Sequence, residues 1–135
     1  MSEQVIFKAE LEHLPKMLGW VREKLCAVVV SSSERNKFEV ASEEILVNVI
    51  NYAYEEGHGR LEMIWCNRKN NIALTVVDFG KPFNPLDREK RVIKSLSLEF
   101  QEEGGLGIFL VKKLVDKIEY EYVEGANRFT ISKRI

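Results

Sequence analysis

The chain has 135 residues, of which 20 are Lys or Arg and 21 are Asp or Glu, and 45% are hydrophobic. A chain of this length is usually one domain, and we expect a single domain over residues 1–135 without room for a second catalytic domain. The net charge of −1 supplies no general attraction to phosphate backbones or anionic lipid. We therefore predict no direct nucleic-acid partner and no membrane partner.

The apolar runs and the cysteines favour a cytoplasmic protein. The longest uninterrupted apolar run, Leu25 to Val30, is far shorter than the roughly 20 residues of a membrane span. The first residues lack the basic and then apolar layout of a signal peptide. Cys26 and Cys66 lie in apolar stretches without a metal-binding spacing, which predicts two reduced, buried thiols.

Apolar periodicity predicts two consecutive helices in the first half of the chain. Apolar residues return at three- and four-residue steps over residues 14–29 and again over about 34–55. Ser31–Ser33 offer N-caps for the second helix, and Gly57 and Gly59 are expected to end it.

Alternating apolar and polar residues predict five strands. The first is a short strand within residues 4–10, ahead of the helices. Strands over 60–67 and 71–78 are expected to form a hairpin, and residues 118–131 are expected to form a last hairpin across a turn at 125–127.

A charged segment and a third helix lie between the two hairpins. Residues 80–103 hold two prolines and a charge cluster, which predicts a long mobile loop with one short helix at most. A helix is predicted from Gly105 to about Asp116. The element order implies an α+β fold, a two-layer sandwich of a mixed, mostly antiparallel sheet with helices on one face.

A polar stripe runs along the second predicted helix, at Glu44, Asn48, Asn51 and Glu55. The stripe is either a solvated outer face or a functional one on which Glu44 and Asn48 point together into a cleft. Asparagine is a poor residue for the middle of a helix, because its side chain competes for backbone hydrogen bonds. In a cleft, the carboxylate could deprotonate a hydroxyl, and the amide oxygen could hold a magnesium ion.

An acidic residue ends the hydrophobic strand at Asp78, and Gly80 follows two positions later. Both residues are common in turns, so an ordinary strand-end turn is one interpretation. The other interpretation is a buried carboxylate that accepts a hydrogen bond from the amino group of a base. In that case Gly80 would let the backbone pass close to a flat ring.

A glycine cluster, Gly104 to Gly107, leads directly into the third predicted helix. The free N–H groups and positive dipole end of a helix N-terminus form a natural phosphate cradle. The cluster is not a P-loop, because no Gly-Lys-Ser/Thr follows it. A plain glycine-rich loop is the alternative.

Three segments occur together in a characteristic order. They are SEEILVNVINYAY at 42–54, DFGKPFNP at 78–85 and GGLGIFLV at 104–111. In this order they resemble the GHKL (HATPase_c) ATPase superfamily, and more closely the bacterial anti-sigma factor serine/threonine protein kinases. The resemblance covers nearly the whole chain and implies the Bergerat ATP-binding fold.

The resemblance implies ATP and Mg²⁺ as cofactors and a role for each candidate residue. Asn48 would bind the magnesium ion, and Glu44 would be the general base. Asp78 would receive the adenine amino group, with Gly80 beside the ring. The family phosphorylates a serine of an anti-sigma-factor antagonist and also holds a sigma factor inactive. Its members commonly form homodimers.

The same resemblance assigns the glycine-rich segment and the charged loop. Gly105, Leu106 and Gly107 would belong to the loop whose N–H groups hold the phosphates, and residues 84–103 would be the ATP lid. Kinase members often carry a basic residue just ahead of the glycine pair, where this chain has Glu102 and Glu103. This departure motivates an alternative, a non-catalytic GHKL module that uses nucleotide only to gate partner binding.

A second departure lies on the last strand. Family members often place a threonine there, and Asn127 and Arg128 fall at that position in this chain. Thr130 is a weak candidate for the same place and is not predicted to be a site residue.

Overall fold

The structure is a computed structural model that describes residues 2–54, 58–84, 86 and 105–135. It contains a five-stranded sheet with helices on one face. The strand order is β1-β2-β3-β5-β4, and all four neighbouring pairs are antiparallel. The strands are β1 Ser2–Lys8, β2 Arg60–Arg68, β3 Asn71–Asp78, β4 Lys117–Val123 and β5 Ala126–Arg134. The helices are α1 Leu14–Val28, α2 Ser32–Tyr52 and α3 Gly105–Leu114, with a 3₁₀ turn at Leu11–His13 before α1. The predicted α+β class is confirmed.

Helix α2 begins as predicted and ends earlier than predicted. The Ser31 side chain caps it by accepting a hydrogen bond from the Glu34 N–H at 3.2 Å. The helix ends at Tyr52, and Gly59 does not cap it. A Cβ atom on Gly59 would lie 2.3 Å from the ring of Tyr54, so this glycine makes room for the tyrosine. Gly57 lies outside the described residues.

Helix α3 also ends earlier than the predicted Asp116, because that residue, just before β4, is already hydrogen-bonded to β5. The Asp116 N–H donates to the carbonyl of Ser132 at 2.9 Å, and its carboxylate accepts the Arg134 N–H at 2.6 Å. These two bonds hold the chain against β5 and are incompatible with continued helix.

Both predicted hairpins are present, and each has a two-residue turn that is left-handed at both positions. Lys69 and Asn70 have φ of 43° and 61° between β2 and β3. Glu124 and Gly125 have φ of 51° and 79° between β4 and β5. Turns of this kind match the right-handed twist of the paired strands and set their register.

The core lies between the inner face of the sheet and the helices. Phe38 of α2 is fully buried and packs edge-on against Trp65 of β2, with ring centroids 5.9 Å apart at 87°. The alternating inner residues of β2, β3 and β5 complete this layer, including Leu61, Met63, Leu74, Val76, Phe129 and Ile131.

Two expectations concern the surface. Cys26 and Cys66 are both free, as predicted, but the prediction that they are buried is wrong: Cys26 is exposed and Cys66 is half-buried. Cys26 follows the fully buried Leu25 on α1 and projects away from the core. Among the helices that the structure describes, none is both long and apolar enough to cross a membrane.

Replacing Phe38 with Ala should lower the free energy of unfolding by about 3–5 kcal/mol, because it removes a fully buried ring and leaves a cavity beside Trp65. Val30→Ala is the control, since Val30 is 95% exposed and should change stability by less than about 0.5 kcal/mol. Urea denaturation measures both. Equal losses in the two variants would contradict the assigned core.

Candidate functional site

A cleft opens at the end of β3, between α2, α3 and the last two strands. Its lining is mostly apolar, with Ile45, Val49, Ile108 and Phe129 among the contributors. Three buried polar side chains also line it: Asn48, Asp78 and Asn127, which are 5%, 6% and 4% exposed. Apolar walls with a few convergent polar groups are the usual makeup of a small-molecule site.

Asn48 is the polar residue of α2 that the cleft buries. Among the residues that the structure describes, its side-chain amide makes no hydrogen bond, although it is only 5% exposed. A buried amide without a partner costs about 1–3 kcal/mol, so its retention calls for a ligand or water as partner. The solvated-face interpretation is therefore wrong for Asn48, whereas Asn51 is exposed as that interpretation requires. Glu55 lies outside the described residues.

Glu44 lies one turn before Asn48 and reaches the first turn of α3. A Cβ atom on Gly107 would lie 2.3 Å from Oε2 of Glu44, so the absence of a side chain at Gly107 is what admits the carboxylate. Burial, and secondarily the charge of Glu43, raise the pKa of the Glu44 carboxyl. The structure thus brings together two of the predicted residues from segments 63 positions apart.

Asp78 ends β3 with its carboxylate in the cleft. Oδ1 accepts hydrogen bonds from the Gly80 N–H at 3.0 Å and from Nδ2 of Asn127 at 2.9 Å. Burial raises the pKa of this carboxyl, and the two bonds oppose that shift. Within the described part of the chain, Oδ2 accepts no hydrogen bond and is left to a ligand.

Gly80 lies against the end of α2. A Cβ atom on Gly80 would lie 1.9 Å from the carbonyl oxygen of Ala53, which no rotamer change can relieve. The glycine is thus required by the protein's own backbone. Its predicted contact with a flat ring remains a prediction.

Tyr54 is a second residue that ties α2 to the end of β3. Its hydroxyl donates to the carbonyl of Arg60 at 2.5 Å and accepts the Phe79 N–H at 2.8 Å. Burial raises the pKa of this hydroxyl. Tyr54 was not predicted to be a site residue, because a tyrosine near a helix end carries no sequence signal of its hydrogen-bond partners.

Asn127 falls where family members often have a threonine, but it was not predicted to be a site residue, because residues 125–127 were expected to form a turn. In the structure it is already in β5 and lies opposite Asp78 in the β3–β5 register. A prediction that the last hairpin pairs with β3 in this register would have placed Asn127 beside Asp78.

The remaining predicted residues are described in part or not at all. Gly105 and Leu106 form the first turn of α3, where only the helical backbone is described. Apart from residues 84 and 86, the predicted lid at 84–103 lies outside the described residues, as do Glu102 and Glu103.

Comparison with known proteins identifies the class. Residues 7–133 match the model of a family described as the histidine kinase-like ATPase domain. That match covers most of the sequence, and the chain belongs to this family. The predicted resemblance to the GHKL superfamily is confirmed.

Curated relatives agree with the narrower resemblance to anti-sigma factor kinases. A protein named serine-protein kinase RsbW from Bacillus thuringiensis (strain Al Hakam) is 28% identical over 90 residues, which cover 64% of this chain and 56% of the relative. A protein of the same name from Halalkalibacterium halodurans is 29% identical over 96 residues, covering 64% of this chain and 55% of the relative. The chain spans little more than half the length of these relatives.

Solved structures share the fold. The RsbU and RsbW domains of Rv1364c from Mycobacterium tuberculosis superpose with a TM-score of 0.70 at 14% identity, over 99% of this chain and 32% of that one. The catalytic domain of histidine kinase ThkA superposes with a TM-score of 0.56 at 16% identity, over 98% of this chain and 95% of that one. At these identities the likeness establishes architecture alone.

Gly80→Ala should destabilise the protein by about 1–3 kcal/mol, because its Cβ overlaps the carbonyl of Ala53 and forces α2 away from β3. Gly19→Ala is a matched control in the middle of α1, where a Cβ meets nothing within 4 Å. It should stabilise the protein by about 0.5–1 kcal/mol. Thermal denaturation compares them, and a neutral Gly80→Ala would refute the close approach.

Proposed function

We propose that the chain is an ATP-dependent protein serine kinase and a partner-switching anti-sigma factor. Its substrate would be a serine of an anti-sigma-factor antagonist, and its other partner a sigma factor that it holds inactive. The observation that carries the proposal is the buried amide of Asn48, unpartnered among the described residues, in one cleft with the Asp78 carboxylate. The family match and the relatives named serine-protein kinase support it.

Recognition of adenine would rest on Asp78 and the apolar walls. Oδ2 of Asp78 can accept the adenine amino group, since Oδ1 is engaged by two donors of the protein. Ile108 and Phe129 offer apolar surface to the ring from α3 and β5. Gly80 would lie beside the ring, with its backbone held against Ala53.

The residues of the cleft fit a magnesium ion. A buried amide oxygen at Asn48, with no protein partner among the described residues, is a suitable single ligand for Mg²⁺, which takes its other ligands from water and phosphates. When bound, the ion would neutralise phosphate charge. Gly105, Leu106 and Gly107 open α3, whose N-terminal N–H groups would hold the phosphates.

Glu44 would act as the general base of the transfer step. The serine oxygen attacks the terminal phosphorus, the bond from that phosphorus to the bridging oxygen breaks, and ADP leaves. The serine proton passes to Glu44, whose raised pKa makes it a stronger base than an ordinary carboxylate. Positioning and charge neutralisation supply most of the remaining catalysis in phosphoryl transfer.

The setting of the reaction is part of the proposal. We place the protein in the cytoplasm, where its protein substrate and sigma factor would reach it, and we propose that it can form a homodimer. Its net charge of −1 suits a regulator that binds proteins and makes no direct contact with nucleic acid or membrane. Residues 84–103 would close over the nucleotide as a lid.

A second candidate function is a non-catalytic module in which nucleotide binding only gates partner binding. Glu102 and Glu103 favour it, because they stand where kinase members often place a basic residue that reaches the terminal phosphate. The two candidates differ in whether Glu44 is needed for a chemical step.

Glu44→Gln should reduce transfer of labelled phosphate to the antagonist by a factor on the order of 10²–10⁴, with ATP affinity unchanged, because the amide cannot accept the serine proton. The measurement combines incubation with labelled ATP, magnesium and antagonist with calorimetric titration of ATP. Glu43→Gln is the matched control: Glu43 is exposed one position away, and its charge is only the lesser cause of the raised Glu44 pKa, so transfer should change little. Absence of transfer by the unchanged protein, with ATP bound, would leave the gating module as the function.

Affinity for ATP should fall as the pH is lowered, starting at a higher pH than for an ordinary aspartate. Burial raises the pKa of Asp78 above its usual value of 3.8, and the protonated carboxyl loses its strength as acceptor for the adenine amino group. The stability contribution runs in the opposite direction. Because the folded-state pKa is raised, that contribution is full at low pH and is lost as the pH rises through the folded value.

Calorimetric titrations of ATP across the acidic range test this dependence. Asp78→Asn is the control for titration of the nucleotide itself. This variant should bind ATP weakly at every pH, without the fall in affinity that protonation of Asp78 causes. Identical pH profiles for the two proteins would contradict the assignment of Asp78.

A further inference from the structure

Asn127 has the most completely bonded polar side chain in the cleft. It is 4% exposed and lies opposite Asp78 in the antiparallel register of β3 and β5. Its Nδ2 donates to Oδ1 of Asp78 and to the carbonyl of Lys81, each at 2.9 Å. Its Oδ1 accepts the Phe83 N–H at 3.0 Å and the hydroxyl of Tyr120.

These bonds define the orientation of the amide. The Phe83 N–H can only donate, so the amide oxygen must face it. The amino group must then face the carbonyl of Lys81 and Asp78, and both of its hydrogens are used. A reversed amide would place donor against donor and acceptor against acceptor, so the network admits one orientation.

The orientation of Asn127 presents a hydrogen-bond donor to the Asp78 carboxylate. Oδ1 of Asp78 accepts hydrogen bonds from two donors, Asn127 and the Gly80 backbone N–H. Both bonds favour the ionised form and so oppose burial, which raises the pKa of this carboxyl. Oδ2 is left to accept a donor from a ligand in the cleft.

The same side chain fixes the wall of the cleft after β3. Lys81 and Phe83 bind opposite ends of the Asn127 amide, through a carbonyl and an N–H respectively. Residues 80–83 therefore turn around Asn127 and hold Phe83 against the cleft that it lines.

We propose that Asn127 is a positioning residue that sets the base specificity of the cleft, by holding Asp78 as an obligate hydrogen-bond acceptor for an exocyclic amino group. The inference rests on the proposed function, since the amino group is that of adenine. Asn127 acts through Asp78 and makes no contact with the reacting phosphate.

Two other ionisable groups approach this network. Tyr54, at the end of α2, interacts electrostatically with Asp78, and Tyr120 of β4 reaches Asn127 through its hydroxyl. The Tyr54 hydroxyl donates to the carbonyl of Arg60 and the Tyr120 hydroxyl to Asn127. Asn127 and the Gly80 N–H are therefore the hydrogen-bond donors to Asp78 in the described part of the chain.

Asn127→Asp is the decisive substitution, because it preserves the shape and the acceptor for Phe83 and removes the donor to Asp78. It also places a second carboxyl within hydrogen-bond distance of Asp78. Thr130→Val is the matched control on the same strand. It removes a hydroxyl that is 2.8 Å from that of Thr75, on the other face of the sheet, and leaves Asp78 untouched.

The first measurement is an NMR titration of the Asp78 carboxyl carbon in the nucleotide-free protein. In Asn127→Asp we expect the Asp78 carboxyl and the introduced carboxyl to titrate as a pair, with one proton retained to a higher pH than in the unchanged protein. Thr130→Val should titrate as the unchanged protein does. An Asp78 titration that is the same in all three proteins would overturn the proposal without any reference to nucleotide.

The second measurement compares ATP with purine riboside triphosphate, which lacks the exocyclic amino group. Asn127→Asp should lose about tenfold or more in affinity for ATP, the scale of one charge-assisted hydrogen bond, and less than about threefold for the analogue. Equal losses for both nucleotides would reduce Asn127 to a structural role and overturn the proposal. If the unchanged protein binds neither nucleotide, the proposed function fails, and the specificity assigned to Asn127 fails with it.

A milder variant protects the test against misfolding. Asn127→Ser shortens the side chain so that it cannot reach Asp78 and Lys81 together, and it introduces no charge. Asn127→Ser should also lose more affinity for ATP than for purine riboside triphosphate. An unchanged preference between the two nucleotides in a folded Asn127→Ser protein would count against the proposal.

Discussion

The contact between Gly80 and the carbonyl of Ala53 is the constraint on which the cleft depends. It lets the end of β3 lie directly on the end of α2, with no side chain between the two backbones. Tyr54 reinforces the contact by bonding to the Phe79 N–H and to the start of β2. Since Asn48 is on that helix and Asp78 on that strand, the approach of the two elements is what places an amide and a carboxylate in one cavity.

Polar groups in this cavity are held at an energetic cost that the apolar core offsets. The Asn48 amide has no hydrogen-bond partner among the described residues, and burial raises the pKa of the Asp78 carboxyl by opposing its charge. The Asn127 amide, in contrast, is fully hydrogen-bonded, and these bonds offset the free-energy cost of removing it from water. The Asn48 amide and the Asp78 carboxylate can therefore still bind a ligand, whereas the fully bonded Asn127 holds Asp78 in position.

Local patterns in the sequence were sufficient to predict most of the fold. Alternation identified the strands, and the spacing of apolar residues identified the three helices, because both periods follow from backbone geometry. Helix ends were less predictable. The end of α2 depends on the distant partners of Tyr54, and the end of α3 on the pairing of Asp116 with β5.

The candidate site was predictable where its residues lie in short motifs. Glu44, Asn48 and Asp78 stand out by type and position, and the structure places Asn48 and Asp78 in one cleft and Glu44 against Gly107. Asn127 was named only as a departure from the family's threonine, because its bond to Asp78 arises from cross-strand register. The role of Gly80 was only half anticipated, since the sequence cannot reveal that its nearest neighbour is the backbone of Ala53.

The β3–β5 pairing also has a kinetic consequence. The β2–β3 hairpin closes through a two-residue turn and can form locally within microseconds, whereas β5 reaches β3 only after about 50 intervening residues have been gathered. Asp78 therefore belongs to an element that can form early, and its partner Asn127 to one that docks late. A fragment ending before β5 would keep the hairpin and its aspartate but not the bond from Asn127, so the proposed base discrimination would be a property of the completed sheet.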